Sequence, residues 1–139
     1  HFMEHVQSLV NEICPTTTQA WVKRGAILVD VREKEEVQLL AYDVPAIIHI
    51  PLSEFEIRYK ELAMDKELVI VCRSGSRSLR AAGFLINHGF DPVKVVNMKH
   101  GMIRWVQRGF PVKGDISGIV DANAGGCCNH GGEKKSGCC

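Results

Sequence analysis

Glu67-Leu68-Val69-Ile70-Val71-Cys72-Arg73-Ser74-Gly75-Ser76-Arg77-Ser78 holds the change of grammar that decides the fold. Its first half is a short run of Leu, Val and Ile that does not alternate with polar residues, the composition of a strand buried on both faces. Its second half is polar and turns at Gly75. From residue 77 to residue 88, Leu79, Ala82, Gly83 and Ile86 recur at i, i+3, i+4 and i+7, which is one face of a helix. Gly89 and Pro92 then stand where such a helix ends. The unit is strand, tight loop, helix.

Working outward, the same grammar repeats. Apolar runs cover residues 26–31, 46–50 (stopped by Pro51) and 93–96. Between them lie helical signals. Ser53-Glu54-Phe55-Glu56 has the capping-box form, with Phe55, Tyr59, Leu62 and Ala63 following on one face. Met98, Met102, Trp105 and Val106 share a face of a segment 98–108 that Gly109 and Pro111 close. Thr16, Thr17 and Thr18 open a short helix through Trp21, ended by Gly25, and Val6, Leu9, Val10 and Ile13 have the spacing of another. Strands alternating with helices predict an α/β fold, a parallel sheet with helices on both faces. Trp21 and Trp105 are read as core, Cys14 as packing, and His49, His88 and His100 as structural or surface residues.

Composition bounds the rest. Among 139 residues, 17 Lys+Arg against 16 Asp+Glu give a formal charge of +1, with 45% hydrophobic and 24% charged residues. These values exclude a disordered chain, a collagen-like fibre and a strongly basic nucleic-acid binder. No apolar run approaches the roughly 18 residues of a membrane span, and no charged-then-apolar leader opens the chain. Residues 1–113 hold both Trp, both Tyr and all five Phe, whereas 114–139 hold 7 of the 13 glycines, four of the six cysteines and no aromatic residue. A segment so poor in large apolar groups cannot offset its ordering entropy by burial. The expectation is one domain over 3–113, with Met3 as its native start, and a flexible Gly/Cys-rich tail over 114–139.

The loop after Cys72 carries the chemistry. In a parallel sheet, ligands sit at the carboxyl ends of strands, where loops enter helix N-termini. Gly75 permits a tight curve whose successive N–H groups converge as an anion nest. The following helix dipole and the cations Arg73, Arg77 and Arg80 add to that field, and no acid lies between residues 68 and 90. Each of these favours thiolate over thiol. A cysteine at the end of an apolar run is ordinarily a small buried hydrophobe; the loop around this one points to a nucleophile. Asp30 and Arg32 end a neighbouring strand on the same edge. Asp30 is expected to orient a loop arginine or the loop backbone, and Arg32 to attract anions. From residue 92 to residue 114 there are five Lys/Arg and no acid, a further source of steering field.

With these residues, the chain resembles the rhodanese-like sulfurtransferases. The resemblance rests on Leu28-Val29-Asp30-Val31-Arg32-Glu33, Ile50-Pro51-Leu52, the loop Cys72-Arg73-Ser74-Gly75-Ser76-Arg77-Ser78, and Gly109-Phe110-Pro111-Val112. It covers about residues 16–112. It implies a rhodanese-like five-stranded parallel sheet flanked by helices, with Cys72 as the sulfur-accepting residue. It further implies a Cys72 persulfide cradled by the loop amides of Arg73, Ser74, Gly75, Ser76 and Arg77, which then passes its outer sulfur to a thiol or other nucleophile. Where the family often shows Gly-His-Ile-Pro-Gly-Ala, this chain has Tyr42-Asp43-Val44-Pro45-Ala46-Ile47. Relatives acting on phosphate or arsenate use a Cys-x5-Arg loop. Here four residues separate Cys72 from Arg77, which favours a single sulfur atom over a tetrahedral oxyanion.

The function expected is transfer of a sulfane sulfur from thiosulfate, polysulfide or a persulfide to a thiol or protein acceptor, without cofactor, nucleic acid or membrane, and with oligomeric state left open. The alternatives are a Cys-based phosphatase or arsenate reductase, and a sulfur or metal carrier using the tail. Cys127, Cys128, Cys138 and Cys139 lack the spacing of a structural zinc site. Together with His130 they suit a soft metal, a sulfur relay or disulfides, or else serve no function. Exposed thiols of this kind fit a reducing, cytoplasmic setting.

Overall fold

A computed structural model describes residues 10–122. In chain order its elements are β1 (Asn11–Ile13), α1 (Pro15–Lys23), β2 (Ile27–Asp30), α2 (Lys34–Leu39), β3 (Leu40–Tyr42), β4 (Ile47–His49), α3 (Phe55–Arg58), β5 (Leu68–Val71), α4 (Ser76–Asn87), β6 (Val95–Met98), α5 (Gly101–Gln107), β7 (Val112–Gly114) and α6 (Ser117–Ala122). Short 3-10 turns at Leu52–Glu54 and Tyr59–Glu61 flank α3. Five strands form one parallel sheet in the order β1-β6-β5-β2-β4, and β3 pairs antiparallel with β7 in a separate two-stranded ribbon. No helix among the described residues is long and apolar enough to cross a membrane.

The alternation of β5 builds both halves of the core. Leu68, Ile70 and Cys72 point to one face, where Phe55, Leu62, Ala81, Ala82 and Leu85 from α3, α4 and the connecting turns cover them. Val69 and Val71 point to the other, against Met98, Met102, Trp105 and Tyr42. Each residue of β5 is fully buried, which is why its sequence shows no polar alternation. Helix α4 starts at Ser76 because Gly75, at φ 101°, turns the chain in a left-handed conformation that a side chain resists.

Three expectations change. The helical spacing of residues 6–13 does not end in a helix: Ile13 lies in edge strand β1, pairing with Met98, and Val6 and Leu9 fall outside the described residues. Met98 belongs to β6, so α5 begins three residues later, after His100 in the left-handed region. The capping-box signal at Ser53 yields a broken helix, because Ser53 bonds Glu33 instead of its own helix: its Oγ donates to Oε1 at 2.9 Å.

Packing also continues past residue 113. Gly114 pairs with Leu40, the Asp115 amide donates to the Leu39 carbonyl at 2.9 Å, and Ile119 joins the core at 6% exposure. The Gly/Cys-rich composition starting at 114 therefore begins inside the fold. Cys127, Cys128, Cys138 and Cys139 lie outside the described residues.

Candidate active site

Cys72 directly follows β5 and has no exposed surface. Its Sγ receives the Gly75 N–H at 3.1 Å and the Ser78 N–H at 3.3 Å. The Ser78 hydroxyl stands 3.3 Å away. In the thiol form Sγ–H donates to that hydroxyl; once the proton leaves, the hydroxyl can rotate and donate in return. Two amides and one hydroxyl thus converge on the sulfur. The Cys72 carbonyl is fixed from behind by the Tyr42 hydroxyl at 2.6 Å and the Met102 amide at 3.0 Å.

The loop rests on the turn between β6 and α5. The Ile103 amide donates to the Arg73 carbonyl at 3.2 Å. Gly101, at φ 60°, leaves no room for a side chain against the Arg73 carbonyl and the Ser74 amide. A Cβ on Gly75 would stand 3.0 Å from the His100 amide nitrogen. His100 itself is held at φ 71°, a conformation that costs a non-glycine residue about 1 kcal/mol. Partial burial, then the charges of Arg104 and Lys99, push its imidazole below the ordinary histidine range. Asn97, fully buried, donates from Nδ2 to the Gly75 carbonyl at 3.2 Å and to Glu12 Oε2 at 2.8 Å. Its Oδ1 makes no hydrogen bond among the described residues.

The charged residues expected at the site are placed differently from their sequence reading. Arg32 is 3% exposed and clasps Asp30, with Nη2 to Oδ2 at 2.8 Å and Nε to Oδ1 at 3.0 Å. Burial opposes its charge, but Asp30's hydrogen bonds and attraction outweigh that and hold the guanidinium above its usual range. Arg32 therefore does not meet anions from solvent, because its fork is spent on Asp30; Asp30 orients Arg32 and no arginine of the Cys72 loop. Arg77 is bidentate to Glu36, at 2.7 and 2.9 Å. Those bonds, against the effect of partial burial, bring the Glu36 carboxyl down to about 2. Arg73, Ser74 and Ser76 are exposed at the loop's rim, with the two hydroxyls 3.4 Å apart. Arg80 lines a cavity of about 140 Å³ with Leu52, Phe55, Glu56, Ala81 and Phe84. His49 Nε2 meets the Arg32 carbonyl at 2.7 Å, and Trp105 is fully buried. Among the described residues, no three of His, Cys, Asp and Glu gather as a metal would need.

Sequence reading missed Ser78, Tyr42, Glu36 and Asn97. Ser78 alone had a local signal, since it sits one turn into the helix that the loop opens.

The sequence pattern of the Rhodanese-like domain matches residues 15–108. The chain is 34% identical over 86 residues to a sulfurtransferase of Allochromatium vinosum, covering 62% of this chain and 77% of that one. It is 42% identical over 78 residues to the putative sulfur carrier protein YrkF of Bacillus subtilis, covering 56% of this chain and only 40% of that one. A rhodanese-related protein from Thermoplasma volcanium superposes with a TM-score of 0.66 at 28% identity, over 76% of this chain and 99% of that structure. With its sheet order, its Cys72 loop and this match over most of the described residues, the chain belongs to the rhodanese-like domain family, alongside sulfurtransferase relatives.

Proposed function

We propose that this chain is a sulfurtransferase that carries sulfane sulfur as a persulfide on Cys72. The observation that supports the reading most directly is the convergence of the Gly75 and Ser78 amides and the Ser78 hydroxyl on one buried sulfur. Such a cradle suits a compact sulfur that holds negative charge and needs no reorganisation when that charge moves outward by one atom. The Cys72 thiolate attacks the outer sulfur of a small anionic donor. A new S–S bond forms, the donor's own bond breaks, and the leaving group departs with the electron pair. With thiosulfate the leaving group is sulfite. A thiol or protein acceptor then attacks the outer sulfur of the persulfide and returns Cys72 as thiolate, which makes a two-step exchange.

The relatives' names support sulfur handling, and the four-residue spacing from Cys72 to Arg77 disfavours a phosphatase or arsenate reductase. The test is intact mass after incubation with a sulfane donor, with and without a later reductant. The expected result is a gain of one sulfur, mapped to the Cys72 peptide and removed by the reductant. Sulfur bound elsewhere, or none at all, would exclude this mechanism.

A further inference from the structure

We propose that Glu36 sets the donor specificity of the Cys72 site by keeping the Arg77 guanidinium occupied, so that donors without an oxyanion head, polysulfides and persulfides, are preferred over thiosulfate. This rests on the reading of Cys72 as a sulfur acceptor and names its substrate class.

A guanidinium recognises an oxyanion through its planar fork, two parallel N–H···O bonds. In this protein Arg77 already presents that fork to Glu36, with Nη1 to Oε1 at 2.7 Å and Nη2 to Oε2 at 2.9 Å. The carboxylate is itself anchored, because the Glu33 amide donates to Oε1 at 2.9 Å across the first turn of α2. A sulfonate entering the loop would have to displace a fixed carboxylate of like charge. The other arginine at this edge, Arg32, is spent on Asp30 and buried. Of the loop's own cations Arg73 stands exposed at the rim, where its charge draws either kind of anionic donor toward the loop. What remains at the centre is the set of amides and the hydroxyl around Sγ, which binds a sulfur atom and asks nothing of the rest of the donor. The charges run in alternation: Asp30, Arg32, Glu36, Arg77 and the Cys72 sulfur. Arg32 attracts Glu36, and Arg77 senses Cys72.

The two donors to compare are thiosulfate and tetrasulfide, both anions, of which only the first carries oxygens. Cys72 thiolate and thiosulfate give persulfide and sulfite; Cys72 thiolate and protonated tetrasulfide give persulfide and trisulfide. Cyanide serves as common acceptor, taking the outer sulfur as thiocyanate and restoring the thiolate. Three measurements follow. In the unaltered protein, kcat/KM for tetrasulfide exceeds that for thiosulfate by about tenfold or more, the scale of one charge-assisted contact. In Glu36→Gln, KM for thiosulfate falls about fivefold while that for tetrasulfide stays within about twofold. The double variant Glu36→Gln/Arg77→Gln should lose that gain, because the released guanidinium provides it. Equal kcat/KM for the two donors in the unaltered protein overturns the proposal, even if the variant does not fold. So does a parallel change for both donors in Glu36→Gln, which would make Glu36 a support of the loop. If neither donor leaves sulfur on Cys72 in the unaltered protein, the sulfurtransferase reading itself fails. If both do so with equal efficiency, only the role of Glu36 fails.

Discussion

The Tyr42 hydroxyl donates to the Cys72 carbonyl at 2.6 Å, tying a three-residue strand outside the main sheet to the residue proposed to carry the transferred sulfur. Tyr42 is 3% exposed and packs edge-on against Trp105, with ring centroids 5.2 Å apart. Burial, and then the nearby Asp30 charge, hold its phenol well above the usual tyrosine range. It stays a donor at any pH where the protein works. The Cys72 carbonyl keeps the Met102 amide if the phenol is lost, so Tyr42→Phe leaves no orphaned acceptor. The expected cost is about 1 kcal/mol of stability, read from urea unfolding, with turnover reduced less than about threefold. An unchanged unfolding midpoint would show that this bond contributes nothing.

Cys72→Ser keeps the size of a side chain surrounded by three polar donors and removes the sulfur. Sulfur transfer should fall by about a hundredfold or more while thermal unfolding shifts by only a few degrees. Retention of even several per cent of the activity would place the accepting thiol elsewhere in the chain.

Much of this site was legible in the sequence, for a definite reason. Strands β2, β5 and β6 are near-continuous apolar runs because both faces of the sheet are covered there, edge strand β4 is a short Ile-rich run stopped by Pro51, and the loop after Cys72 is local, so its residues announce themselves together. Edge strand β1 was not legible: three residues with one inward side chain, Ile13, cannot outvote a helical spacing that reaches back to Val6. Paired charges were half legible. Arg77 reads as a cation, but its carboxylate lies 41 residues away on another helix. Arg32 and Asp30 are two residues apart, yet their burial depends on strands that pair on either side of β2. Tyr42 falls where the chain departs from the usual family pattern, and nothing in its neighbours tells that it reaches a carbonyl 30 residues on.

Gly101 is the tightest approach beneath the Cys72 loop. Gly101→Ala would place a Cβ into the Arg73 carbonyl and the Ser74 amide, at a backbone angle that already disfavours a side chain. Relief requires the loop to move, and a displacement near 1 Å at a reacting group can cost about two orders of magnitude in rate. Gly109→Ala is the matched control: its φ is 76°, yet nothing stands within 4 Å of the new Cβ. Both variants should lose about 1 kcal/mol to backbone strain, but only Gly101→Ala should lose transfer activity, by about tenfold or more. Similar activity in the two would show that the loop does not depend on this contact.

The Glu36–Arg77 pair makes stability depend on pH. The Glu36 carboxyl sits at about 2 in the folded protein, below its unfolded value, so the pair stabilises fully above the ordinary glutamate range and is lost as pH falls toward 2. Both side chains are about one-third exposed, at 31% and 32%, so screening reduces the contribution to about 1–2 kcal/mol. Urea unfolding of the unaltered protein and of Glu36→Gln should differ by that amount at pH 6, and the difference should shrink steadily toward pH 3. A gap that stays constant with pH would mean that the glutamine disturbs packing and that the charge is not the cause.

Truncation tests where the fold ends. A chain stopping at Lys113 loses the pairing of Gly114 with Leu40, the Asp115 bond to the Leu39 carbonyl, and Ile119 from the core beside Trp105. Burying one isoleucine stabilises by about 2 kcal/mol and each backbone bond adds about 0.5–1.5, so the loss should reach about 3 kcal/mol, several degrees in Tm for a domain of this size. The comparison is a chain stopping at Ala122, which keeps all three. Because β7 is the sole partner of β3 in the two-stranded ribbon, and β3 carries Tyr42, the shorter chain should also show a lower kcat with a small thiol acceptor. If the two truncated chains unfold at the same temperature, residues 114–122 do not belong to the folded unit, and the ribbon does not transmit its order to Cys72.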